Sequence, residues 1–228
     1  MITRETLDFL SGLKANNNRE WFSGHKHEYQ RAYGDALDTV VHLLIRIGAF
    51  DSDIAASALD PKSCLMRINR DVRFSKDKSP YKTNFFLFIN KGGRKSPYAG
   101  YYLHIEPGAS FIGGGIYMPE APVLEKLRRE ISDNFREWTK IVHDKAMAAN
   151  FPDGVQPSGK LKRAPKGYEL SDPALEYLKF KGYYTQRFLD DAEVTSPALF
   201  GQLTGMFGSV KPLIDFINQA LGNLAMRS

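Results

Sequence analysis

The residues best suited to chemistry in this 228-residue chain form a run of cations between Arg67 and Lys82. Arginine guanidinium groups form paired hydrogen bonds with phosphate and carboxylate oxygens, and lysine ammonium groups add positive charge. Serine hydroxyls and a tyrosine ring in the same run offer further contacts. The sequence therefore predicts an anion-binding site that contains Arg67, Arg70, Arg73, Ser75, Lys76, Lys78, Tyr81 and Lys82.

The positive charge of the chain is concentrated in two segments. The net charge is +5, but residues 62–95 alone carry +8 and residues 160–187 carry a further +4. The remainder of the chain is acidic, with a net charge of −7. We assign Lys181 of the second segment to the same anion-binding site.

A second interpretation gives these cations no ligand. Charged side chains often protect the edge of a β-sheet from pairing with another chain. Sequence neighbours such as Arg70 and Asp71, or Lys76 and Asp77, could also form local ion pairs of little energy. Anion binding is our expectation, and solvated local ion pairs are the alternative.

His104 is the histidine best placed for proton transfer. In the alternating segment 100–106 it shares one sheet face with Tyr102 and Glu106. If Arg67 and Asn69 lie on that face too, a polar pocket forms in which His104 is a general acid or base. The alternative is a structural histidine that forms hydrogen bonds and takes no part in chemistry.

Other patterns indicate neither a metal nor a cofactor. HExxH, paired cysteines and carboxylate clusters are absent from the sequence, so no metal site is predicted. Three glycines at 113–115 lie inside a predicted strand, where they indicate a bulge or the close approach of a helix rather than a phosphate-binding loop. The single Cys64 has no partner for an internal disulfide, and we expect it to be buried.

An α+β fold must position these residues. Apolar residues at helical spacing predict helices over 3–14, 18–47 with a break near Gly24, 119–149, a short stretch from 172, and a kinked helix from 196. Alternation and apolar runs predict strands over 64–70, 84–91, 100–106, 109–117 and 182–189. We expect one domain over 1–228, with a mainly antiparallel sheet of four to five strands packed by N-terminal, central and C-terminal helices.

Several motifs together resemble a known family. They are RINRDVRFSKDKSPYKTN at 67–84, NNREWF at 17–22, YLHIEPG at 102–108, GGGIYMP at 113–119 and PKGYELSDPALEYLKFKGYY at 165–184. In combination they are similar to the bacterial and fungal proteins called domain of unknown function 2461 (DUF2461). The resemblance implies a single α+β domain, and it implies no particular activity, cofactor or catalytic residue.

These observations lead to an expected function. The N-terminus lacks the apolar run of a signal peptide and no segment is apolar enough to span a membrane, so we expect a cytoplasmic protein without a membrane partner. The expected ligand is a small phosphorylated or carboxylated molecule, bound by a binding protein or an enzyme that uses His104. The alternatives are a nucleic-acid-binding module and a protein-interaction domain without chemistry.

Overall fold

The computed structural model describes residues 1–222 and confirms the α+β fold class. Its described part contains eleven helices and one antiparallel sheet of four strands, which lie side by side in chain order. The strands are β1 (Phe85–Asn90), β2 (Gly100–Ile105), β3 (Ser110–Ile116) and β4 (Tyr183–Leu189). The helices are α1 (Arg4–Ala15), α2 (Arg19–Gly24), α3 (Lys26–Gly48), α4 (Ser52–Ala56), α5 (Pro61–Cys64), α6 (Ala121–Asp133), α7 (Phe135–Val142), α8 (Lys145–Asn150), α9 (Leu175–Leu178), α10 (Asp191–Thr195) and α11 (Leu199–Leu221).

The chain divides into two compact units, each assembled from separate stretches of sequence. Unit 1 comprises Met1–Ile89, Tyr102–Ile112 and Phe188–Thr204. Unit 2 comprises Asn90–Tyr101, Gly113–Arg187 and, of the described residues after these, 205–222.

Four of the five predicted strands are confirmed, and the strand predicted over 64–70 is wrong. That stretch makes only isolated antiparallel bridges, from Leu65 to Leu87 and from Asn69 to Tyr81. Cys64 is the last residue of α5, and the segment after it changes its pairing partner between the two bridges. A continuous ladder therefore does not form.

The single helix predicted over 119–149 is also wrong, because three helices occupy this stretch. Asn134 leaves helical geometry at the end of α6, with φ −117° and ψ 36°. Asp144 then caps α8 by accepting hydrogen bonds from two backbone N–H groups of its first turn. Such capping satisfies orphan donors at the start of a new helix.

The helical part of unit 1 begins where the sequence predicted. The hydroxyl of Thr3 accepts a hydrogen bond from the Thr6 N–H, and Asn18 caps α2 in the same manner. The Thr3 and Thr6 hydroxyls also donate to one oxygen of Asp35, at 2.7 and 2.6 Å, which fixes α1 against α3. Cys64 is buried, as expected.

The core of unit 2 is aromatic. Trp138 is fully buried and meets Tyr177, Tyr183 and Phe216 with ring centroids 5.4 to 5.6 Å apart. Beside this core, α11 lies close to β3, since a Cβ at Gly114 would come within 2.9 Å of a Val210 methyl. The glycine run therefore permits the close approach of a helix, as the sequence indicated.

Gly115 provides a test of this packing. Its φ is +119°, and a Cβ there would lie 2.3 Å from the Tyr183 carbonyl oxygen. We expect Gly115→Ala to lower the free energy of unfolding by about 3 kcal/mol or more, because both the backbone conformation and the contact oppose a side chain. Chemical denaturation measures the change.

Gly108→Ala is the matched control. Gly108 also has a positive φ, of +70°, but a Cβ at this position would have no atom within 4 Å. Its substitution is expected to cost only about 1 kcal/mol. Equal losses in the two variants would show that the contact with Tyr183 is unimportant.

Candidate functional site

The basic loop, defined as residues 67–82, is a hairpin-like excursion in unit 1. Its two legs are joined by backbone hydrogen bonds from Lys82 N to Ile68 O at 2.7 Å and from Arg70 N to Pro80 O at 2.9 Å. Residues 71–79 form the tip between these legs. The cations of the sequence motif are therefore displayed on a closed loop rather than on a strand.

Asp77 holds the tip together. Its carboxylate accepts hydrogen bonds from the Ser79 hydroxyl at 2.6 Å and the Ser79 N–H at 2.9 Å, and it forms an ion pair with Arg70. The Ser79 donors and Arg70 together lower the pKa of Asp77 to about 2. Arg70 also donates to the Ser79 carbonyl oxygen at 3.1 Å and to the Ser75 hydroxyl at 3.5 Å.

Arg73 is paired with Asp71 through both carboxylate oxygens. Its Nε lies 3.0 Å from Oδ1, and its Nη2 lies 2.7 Å from Oδ2. Hydrogen bonds from Arg73 lower the pKa of this carboxyl. For Arg70 and Arg73 the structure thus shows local ion pairs, although Arg70 pairs with Asp77 rather than with its neighbour Asp71.

Three other cations of the loop, Arg67, Lys76 and Lys78, form no ion pair with a carboxylate of the described residues. Lys76 is exposed and forms no hydrogen bond or ion pair with the described residues. Lys78 donates only to the Val72 carbonyl oxygen, at 3.0 Å. Arg67 is exposed next to the loop tip, and the ring of Phe74 at the tip is 95% exposed.

Tyr81 anchors the base of the loop to the first helices. The Asn17 amide accepts from the Tyr81 N–H at 3.1 Å and donates to the Tyr81 carbonyl oxygen at 2.9 Å. The Tyr81 ring stacks on Phe22, with ring centroids 4.0 Å apart. One ring face is therefore already covered, which gives Tyr81 a positioning role in the predicted site.

A short chain of hydrogen bonds through Glu106 connects His104 to Thr83, the residue after the basic loop. Its Nε2 is 3.1 Å from one oxygen of Glu106, whose other oxygen accepts from Lys14 Nζ and Thr83 Oγ1, each at 3.2 Å. Because Thr83 directly follows the basic loop, Glu106 connects the end of that loop to His104. Lys14 comes from α1 and was not among the predicted site residues.

The protonation states of this pair follow from burial and hydrogen bonding. Burial lowers the pKa of His104, and the opposing effect of Glu106 is smaller. Burial alone would raise the pKa of Glu106, but hydrogen bonds from His104, Lys14 and Thr83 outweigh it and lower that pKa. Neutral His104 therefore donates its Nε2 proton to an ionised Glu106, which leaves Nδ1 as an unprotonated base.

The surroundings of His104 are aromatic as well as polar. Its ring is parallel to that of Phe111, with centroids 4.4 Å apart, and Phe86 meets it edge-on at 6.1 Å. Tyr102, expected on a polar face, is buried. Neither Arg67 nor Asn69 forms a hydrogen bond with His104, whose polar contact in the described part of the chain is with Glu106.

One comparison with known proteins decides the family. A family model described as a conserved hypothetical protein (DUF2461) matches residues 5–216 of the chain. The chain belongs to the DUF2461 family. No curated protein and no solved structure is significantly similar to it.

In this DUF2461 protein the second basic segment lies in unit 2. Lys181 is exposed, and its backbone N–H donates to the Gly159 carbonyl oxygen at 2.8 Å. Lys160 and Lys179 both pair with Glu176, at 2.8 and 2.6 Å, and lower its pKa to about 2. Part of the positive charge of this segment is thus offset locally.

Two features are absent from residues 1–222 of this DUF2461 protein. No group of three or more histidine, cysteine or acidic side chains in this range is arranged to hold a metal ion. No helix in the same part of the chain has both the length and the apolar character needed to cross a membrane.

The pair of His104 and Glu106 predicts how stability depends on pH in the DUF2461 protein. Both groups have a lower pKa when folded, so the unfolded chain binds more protons on acidification. We expect the melting temperature to fall as the pH drops below about 6.5, where an unperturbed histidine titrates. His104→Gln should reduce this fall between pH 7 and pH 5, as measured by thermal melts across that range.

His143→Gln is the control, because that histidine is exposed. Its pH dependence should match that of the unmodified protein. An unchanged pH dependence in His104→Gln would show that His104 does not titrate with folding.

Proposed function

We propose that this DUF2461 protein binds a small phosphorylated or carboxylated molecule at the basic loop and the adjoining sheet face of unit 1. The observation that carries the proposal is the division of charge within the loop. Both of its acidic residues are committed to Arg70 and Arg73, while Arg67, Lys76 and Lys78 are left to face solvent. These cations suit an anionic ligand. Because the loop backbone is already held in one conformation, binding costs less conformational entropy than it would on a flexible loop.

The loop anchors support binding of a small ligand. Asp77 fixes the tip through Ser79 and Arg70, and Asn17 fixes the base through both polar groups of the Tyr81 backbone. A loop held at both positions presents its lysines within a limited region. Phosphate and carboxylate oxygens are the groups that ammonium and guanidinium donors bind most strongly.

His104 is the proton-transfer group in this proposal. Its Nδ1 is unprotonated near neutral pH, and Glu106 holds the ring in the required tautomer. A carboxylate that orients a histidine in this way stabilises the imidazolium formed when the histidine accepts a proton. If the bound molecule reacts, we expect His104 to accept or return the proton.

Thermal shift with inorganic phosphate, sulfate, citrate and adenosine monophosphate tests the binding. A ligand present at about 100 times its Kd adds about 2.7 kcal/mol, which raises the melting temperature of a chain this size by about 5–10 °C. We expect such a shift with at least one of these anions. Lys76→Gln combined with Lys78→Gln should remove most of it.

Lys26→Gln is the matched control, since Lys26 is an exposed cation of α3 without a hydrogen bond or ion pair to the described residues. The shift should persist in this variant. No shift with any of the four anions, or an equal loss in the control, would rule out the proposed site. A single-stranded oligonucleotide that binds with a steep salt dependence, while the small anions do not, would favour the nucleic-acid alternative instead.

A further inference from the structure

Unit 2 contains an open cleft that the proposed function does not use. The cleft has a volume of about 970 Å³ and lies between one face of α6 and the loop over residues 165–173. Residues from α6 line it at helical spacing, so their side chains share one side of that helix. These residues are Glu125, Arg128, Arg129, Ser132 and Asp133.

The lining carries charges of both signs. Its cations are Arg128, Arg129 and Lys166, and its acidic residues are Glu125, Asp133, Glu169 and Asp172. None of these seven forms an ion pair within 4 Å in the described part of the chain. In the same unit, Glu176 outside the cleft pairs with two lysines.

Backbone carbonyl groups hold Arg128 in place, and no carboxylate among residues 1–222 pairs with it. Its Nε donates to the Leu178 carbonyl oxygen at 2.7 Å, and its Nη2 donates to the Phe180 carbonyl oxygen at 3.0 Å. Carbonyl groups orient a guanidinium but carry no formal negative charge. A half-buried arginine held in this way is therefore a preorganised partner for an anion.

The opposite wall is also held in place. Ser132 donates to Asp172 at 2.6 Å, and the other oxygen of Asp172 accepts from the Ala174 N–H at 2.7 Å. These bonds connect α6 to the loop over residues 165–173, which forms the other side of the cleft. Burial raises the pKa of Tyr168 on this wall, so its phenol stays protonated and can donate a hydrogen bond.

We propose that this cleft binds a small zwitterion that carries a phosphate or carboxylate together with an ammonium group. Arg128, Arg129 and Lys166 contact the anionic group, and the carboxylates of Glu125 and Asp133 contact the ammonium group. A simple anion meets too much negative charge in this cleft, whereas a zwitterion satisfies both signs. This site is separate in its residues from the basic loop of unit 1.

Isothermal titration calorimetry with phosphoethanolamine tests the proposal, in the variant that combines Lys76→Gln and Lys78→Gln so that the site proposed in unit 1 does not contribute to the signal. We expect saturable binding of phosphoethanolamine and much weaker binding of either half, ethanolamine or inorganic phosphate. Arg129→Gln and Asp133→Asn should each raise the Kd about tenfold or more, since each removes one charged contact. Circular dichroism should show that both variants remain folded, because neither side chain forms a hydrogen bond with the described residues.

Lys126→Gln is the control within the same helix, because Lys126 is an exposed cation of α6 that does not line the cleft. It should bind phosphoethanolamine with an unchanged Kd. Absence of saturable binding, equal affinity for inorganic phosphate, or an unchanged Kd in Arg129→Gln would each overturn the proposal. None of those results would affect the site proposed in unit 1, whose own test uses other residues.

Discussion

The candidate site of unit 1 depends on the hydrogen bonds that the Glu106 carboxylate accepts. A carboxylate partly removed from water is stabilised only when donors replace its lost hydration. Three side chains supply them, Lys14 from α1, Thr83 from the end of the basic loop and His104 from β2. The Glu106 N–H in turn donates to the Ser110 hydroxyl at 3.1 Å, where the chain enters β3. The carboxylate thereby connects α1, the end of the basic loop and β2, and it fixes the tautomer of the histidine in the site.

The acidic residues of the basic loop have a similar structural role. Asp77 and Asp71 each gather donors from residues only a few positions away, and each has a lowered pKa as a result. Because these carboxylates shape the loop, they are not available to offset the remaining cations. In the proposed site, the charge available to a ligand is therefore that of Lys76, Lys78 and Arg67, which form no ion pair with the described residues after the loop has formed.

Sequence reasoning succeeded where the deciding interactions are local. The helix starts predicted at residues 3 and 18 and the four confirmed strands follow from residue type and spacing over a few positions. It failed where distant residues decide. Lys14 is 92 positions from Glu106, and Asn17 is 64 from Tyr81, so no local pattern indicates either contact. The stretch over 64–70 shows the same limit, because alternation indicates an extended chain without specifying its partner.

The two candidate sites differ in what a ligand must displace. In the basic loop, Arg70 can reach a ligand only by giving up part of its contact with Asp77 and Ser79, so this arginine contributes shape more than binding energy. On α6, Arg129 stands four positions from both Glu125 and Asp133, a spacing that favours pairing, yet it pairs with neither. Exposed pairs of this kind are worth only about 0.5 kcal/mol, and at Arg129 a ligand has no such pair to displace. If the two proposals hold, the positively charged loop selects a ligand by the sign of its charge, whereas the cleft selects a ligand by the arrangement of its positive and negative groups.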